Sequence, residues 1–111
     1  MRITTARHVV LGTLLMLGSY FDASAVVVMG AWPCGEWVKN EQADSWEARV
    51  QRSWLIGYVS GQAAATGVDV LKGASGPSMI LWVTNYCNSN PLDKSHDAAA
   101  NLFNELVKKL R

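Results

Sequence analysis

The sequence predicts an all-α domain: a small bundle of three main helices with a short helix leading them, stapled by one disulfide, Cys34–Cys87. Three observations carry this. Apolar side chains recur at steps of three and four along residues 46–65 and 92–110, which is a helical period. Helix start and stop residues punctuate the runs, with Ser45, Pro77 and Pro91 at starts and Gly67 at an end. Two cysteines in a chain carrying an export signal permit a single pairing.

That signal occupies residues 1–25. Arg2 and Arg7 form a positive start, residues 9–21 an apolar run, and Ala23, Ser24 and Ala25 the small-x-small pattern that a signal peptidase cuts after. The apolar run is shorter than the roughly 20 residues that span a bilayer, so cleavage is expected in place of a retained anchor. Residues 26–111 then form one small domain, soluble and exported, in the periplasm or secreted. A core of that size gains from a covalent staple, and closing the Cys34–Cys87 loop contributes about 4 kcal/mol in the chain-entropy model.

The elements follow in order. Residues 26–32 form an apolar arm, since a single strand without a partner is unstable. Residues 34–40 make one or two helical turns carrying Trp37 and Val38, and residues 40–43 break the chain. Asp44 or Ser45 caps a long helix whose stripe is Trp46, Val50, Trp54, Tyr58, Gly61 and Ala65, ended by Gly67. Gly57 and Gly61 each cost about 1 kcal/mol relative to Ala in a helix interior, so a second helix is expected close against them. A loop over residues 67–77, with a turn near residues 69–72, leads to a helix capped by Ser75 or Gly76 with Pro77 in its first turn. Apolar nearly all round from Met79 to Cys87, that helix is expected to be the central, most buried element. Asn90 caps the last helix, Pro91 opens it, and Leu92, Ala99, Leu102, Phe103, Leu106 and Leu110 form its apolar face.

Charge narrows the partners. The whole chain has a formal net charge of +1, and the loss of Arg2, Arg7 and Asp22 with the signal leaves a neutral domain. Nucleic acid and anionic membrane both require a concentrated basic face, so neither is expected as partner. The cluster Lys108, Lys109 and Arg111 suits the end of a helix dipole.

No motif for catalysis, cofactor or metal emerges. His96 is the one histidine outside the signal and sits among Lys94, Ser95 and Asp97 at a solvated helix start. Ser60 lies in Gly57-Tyr58-Val59-Ser60-Gly61, which lacks the glycine two residues before the serine that a nucleophile elbow requires. A zinc site wants three or four closely spaced ligands, and a redox site wants Cys-x-x-Cys; neither pattern occurs. What the chain has in abundance is tryptophan: Trp32, Trp37, Trp46, Trp54 and Trp82. Trp54 and Trp82 are expected in the core, while Trp32 and Trp37, with Tyr58 nearby, form an expected surface for a protein partner.

Cys34-Gly35-Glu36-Trp37, Trp54-Leu55-Ile56-Gly57-Tyr58-Val59-Ser60-Gly61, and Trp82-Val83-Thr84-Asn85-Tyr86-Cys87 with Asn90-Pro91 resemble small exported helical proteins of proteobacteria. The cysteine placement is similar to that of HdeA/HdeB-type periplasmic acid-stress chaperones. The stretch from Gly57 to Pro91, with the Ala98-Ala99-Ala100 and Leu106 helix, is similar to type VI secretion immunity proteins of the Rap/Tai kind, although the cysteine placement departs from theirs. Both likenesses imply a non-enzymatic domain that binds proteins: a stress chaperone for many clients, or, alternatively, an immunity protein neutralising one secreted toxin. A small hydrolase is the remaining and least supported alternative.

Overall fold

Pro33, with no N–H to lose, precedes the first helix, and Cys34 is that helix's first residue. In the computed structural model, which describes residues 27–111, four helices follow one another: α1 Cys34–Ala43, α2 Trp46–Thr66, α3 Gly76–Ser89 and α4 Ser95–Lys109. The export signal read in residues 1–25 lies outside the described residues. Among those described there is no strand, only an isolated antiparallel bridge between Pro33 and Lys94. The domain is all-α with a Cys34–Cys87 disulfide, as the sequence predicts.

α1 is longer than expected. It passes through Asn40 and Glu41, because both side chains are engaged by α2: the Asn40 amide donates to Gln51 Oε1 (3.1 Å) and the Glu41 carboxylate accepts from Arg52 (3.0 Å). It stops at Asp44, which takes the left-handed conformation (φ 45°) and donates its N–H to the carbonyls of Asn40 and Glu41. Ser45, not Asp44, then caps α2 by accepting from the Ala48 N–H (3.3 Å). Gly67 ends the helix in the left-handed region (φ 71°), which glycine adopts at no steric cost.

The buried face of α2 is not the expected one. Ala48, Gln51, Leu55 and Val59 line the core, whereas Trp46 is 71% and Val50 41% exposed. The aromatic stripe is thus turned away from the core by about 100°, one residue's rotation. A small residue and a glutamine lie on the true core face and carry no hydrophobic signal. Gln51 is fully buried because its whole amide is satisfied: Nε2 donates to the Trp37 carbonyl and to Glu41 (both 3.0 Å), and Oε1 accepts from Asn40.

Among the described residues, the expected close helix at Gly57 and Gly61 is also absent. A Cβ built on either residue meets no atom within 4 Å. Gly57→Ala and Gly61→Ala are therefore each expected to stabilise the fold by about 1 kcal/mol through helix propensity alone. Urea denaturation measures this directly, and a loss of stability would mean that the face is covered.

α3 starts from Ser75, whose hydroxyl accepts the Ser78 N–H (3.2 Å), with Pro77 in the first turn. It packs against each of the other three helices and in that sense is central. It buries a single stripe, Met79, Val83 and Cys87, and leaves Leu81 60% exposed, so it is not wrapped on all sides. The predicted start of the last helix is corrected too. Asn90 closes α3 instead of opening α4, donating its N–H and its side-chain amide to the Tyr86 carbonyl (both 2.9 Å). α4 begins at Ser95, where the Asp97 carboxylate accepts the Lys94 N–H (2.9 Å), and Leu92 stands 97% exposed in the turn before it. Ser95, Ala98, Ala99 and Leu102 are the buried residues of α4.

The core joins Trp37, Leu55, Val59, Met79, Val83 and Leu102 around the disulfide. Cys34 and Cys87 are both buried, with Cα atoms 4.7 Å apart, and they tie the first residue of α1 to the last turn of α3 across 53 positions of chain.

Candidate functional site

Of the apolar stripe read from the sequence, Trp46, Val50 and Gly61 lie on an outer surface, while Trp54 and Tyr58 are half-buried against the core. Trp46, Val50, Ser53, Gly57, Gly61 and Ala64 recur at steps of three and four along α2, and every one of them is exposed. They lie opposite the buried Ala48, Gln51, Leu55 and Val59 on the helical wheel. Bulk sits at the N-terminal half of this face, with Trp46 and Val50, while the C-terminal half is bare backbone and small side chains. Open glycines in a helix interior lower its stability without any packing return, so a stripe of them next to an exposed tryptophan is a surface with no structural reason inside this fold.

An aromatic ridge flanks that surface. Trp54 packs edge-on against Trp32 (ring centroids 6.0 Å, planes at 82°) and tilted against Tyr58 (5.2 Å, 32°). The arm preceding α1 holds the ridge in place. The Met29 carbonyl accepts from Trp54 Nε1 (2.9 Å), and Gly30 (φ 78°) lies so close that a Cβ there would stand 2.9 Å from Trp54 Cδ1. Further along, the Trp32 N–H donates to Ser95 Oγ (2.9 Å), the Ser95 N–H donates to the Trp32 carbonyl (2.7 Å), and the Cys34 N–H donates to the Asp93 carbonyl (2.9 Å). The arm expected over residues 26–32 is thus a docked segment where it is described, with Val27 and Met29 exposed beside the ridge. Burial, and then the charge of Asp97, push the Tyr58 phenol above its ordinary value, so it stays a neutral hydroxyl.

Of the residues expected to meet a partner, Trp32 and Tyr58 lie half-buried in this ridge, but Trp37 does not belong to it. Trp37 is 0% exposed, and its Nε1 donates to Thr84 Oγ1 on α3 (3.0 Å), so its ring fills the core next to the disulfide. Trp54 and Trp82, expected in the core, are only partly buried. Trp46 and Val50 are the surface residues that sequence reasoning misplaced. The signal that finds them is the conflict between their stripe and the one ending in Leu55 and Val59.

A polar cluster lies at the start of α4. Tyr86 donates to Asp93 Oδ2 (2.6 Å) and accepts from Asn101 Nδ2 (3.4 Å); the bond to Asp93, then burial and the nearby carboxylates, push its phenol up to about 12. This pins the turn that the arm pairs with. His96 sits alongside with Nε2 3.5 Å from Asp97 and with Nδ1 buried and unpartnered among the described residues, so it is less solvated than its sequence neighbours predict. Ser60 donates to the Ile56 carbonyl (2.6 Å), a bond within its own helix. Among the described residues no three His, Cys, Asp or Glu side chains meet in a group that could hold a metal ion.

Comparison with protein-family models, with curated proteins and with solved structures returns no match.

Proposed function

We propose that this chain is an exported, non-enzymatic protein-binding domain, and that the outer face of α2 with its flanking aromatic ridge is its binding surface. The observation that carries this reading is the outward-facing stripe of Trp46, Val50, Gly57 and Gly61, formed in the folded state and held beside the docked arm. Its backbone is fixed within one long helix, so little ordering is needed on association. Large residues at one end and glycines at the other suit a partner helix or edge that inserts side chains over the bare backbone. A face ready at neutral pH fits a domain that holds one partner, in the manner of an immunity protein.

The acid-stress chaperone reading has its own support in the seam between α1 and α2. Glu41 and Asp44 both grip Arg52 (3.0 and 3.2 Å), and Glu41 also accepts from the buried Gln51. These contacts join α1 to α2, the seam that an acid-triggered opening of the domain would have to part.

The test compares the parent with a Trp46→Ala, Val50→Ser double variant and a Leu92→Ser control. Proteins captured from periplasmic extract are identified at pH 7 and near pH 3, after circular dichroism and the thermal midpoint show each variant folded. Capture of one stoichiometric partner at pH 7, lost in the double variant and kept in the control, is the expected result. Capture of many clients only near pH 3 would favour the chaperone reading. Unchanged capture by the folded double variant would remove the α2 face from the account.

A further inference from the structure

Away from the α2 face, the loop over residues 70–75, the first turns of α3 and the last turn of α4 enclose a cavity of about 300 Å³. That size is at the lower end of small-molecule pockets. Its floor is apolar: Val70, Met79 and Leu102 are buried, and Trp82 and Leu106 pack beside them. Its mouth is cationic. Lys72 reaches it from the loop and Lys109 from α4, and no acidic residue among those described lines it. Neither lysine is in an ion pair among the described residues, whose salt bridges use Arg52, His96 and Lys108.

The walls are preformed. The Val70 N–H donates to the Val68 carbonyl (2.9 Å), the Ala74 N–H donates to the Leu71 carbonyl (3.0 Å), and Gly73 turns the chain at φ 80°. Ser75 and Ser78 join the lining where α3 begins, and that first turn holds no acidic residue to offset the positive end of the helix dipole. An apolar floor under a mouth of uncompensated positive charge selects a molecule with one apolar end and one anionic end. A purely apolar ligand would leave the lysines unused, and a hydrophilic anion would leave Trp82 and Met79 without contact.

We propose that this cavity binds a small amphipathic carboxylate of the medium-chain fatty-acid class, with its chain on Val70, Met79, Trp82 and Leu102 and its carboxylate between Lys72 and Lys109. None of the α2 surface takes part, so the proposal is independent of the protein-binding reading.

Titration of the protein with decanoate, and separately with decanol as an uncharged match, tests it by calorimetry and by tryptophan fluorescence below the concentration at which either ligand aggregates. Saturable one-to-one binding of decanoate, about tenfold tighter than decanol, is the expected result. Lys72→Gln with Lys109→Gln, both exposed positions, should weaken decanoate by about tenfold and leave decanol unchanged. Leu106→Trp should block both ligands by filling the cavity, and because the lysine variants leave the core untouched, they decide the matter if that variant fails to fold. Absence of saturable decanoate binding, or equal affinities that the lysine changes do not alter, would overturn the proposal.

Discussion

Cys34→Ala and Cys87→Ala are each expected to destabilise the domain by about 4 kcal/mol, lowering the thermal midpoint by roughly 20 °C. The disulfide closes a separation of 53 residues, and its loss returns that loop entropy to the unfolded chain. Both sulfur-bearing residues are buried in the cluster that holds Trp37, Val83 and Ala98, so alanine leaves a small void but no stranded polar group. The double variant should lose no more than either single one, because each alone removes the same constraint. Denaturation of the three variants, with the parent under oxidising and reducing conditions, measures this. A reduced parent as stable as the oxidised one would show that the packing of α1 on α3 suffices without the bond.

Gln51→Leu should cost about 3 kcal/mol although it swaps side chains of similar size and adds apolar surface to a core position. The amide it removes satisfies the Trp37 carbonyl, Glu41 and the Asn40 amide at one point. Leucine answers none of them, and each then carries part of its desolvation cost unpaid. The urea-dependence slope should stay at the parent's value while the midpoint falls. Stability equal to the parent's would mean that these partners reach water on their own and that the buried amide is dispensable.

The sequence conveys the helical class, the disulfide and most helix ends, because each rests on local chemistry: Gly67 in a left-handed stop, Ser75 as a cap, two cysteines with one pairing. It conveys rotation poorly. On α2 the aromatic residues outweigh Ala48 and Gln51 in any hydrophobic count, yet packing and hydrogen bonding decide in favour of the smaller and the polar residue. Asn90-Pro91 reads as a helix start by local rules, but its side chain is spent on the Tyr86 carbonyl of the preceding helix. Trp37 on α1 offers no local sign of its partner, since Thr84 is 47 residues away. The proposed binding surface shows only as a contradiction between two stripes that cannot both face inward.

Docking of the arm sets an order on the making of this molecule. Its hydrogen bonds run from Trp32 to Ser95 across 63 positions and from Cys34 to the Asp93 carbonyl, so the earliest described part of the chain finds its partners only once the start of α4 is present. Contacts of such long separation form late, after the loop between them has been gathered by helix pairing. While the chain emerges from its N-terminal end, α1 and α2 can coil and meet, but Gly30 has no fixed Trp54 ridge to close over and Cys34 has no Cys87 to join. Residues 27–32 therefore cannot dock before Ser95 is available, and α4 is the element that holds them.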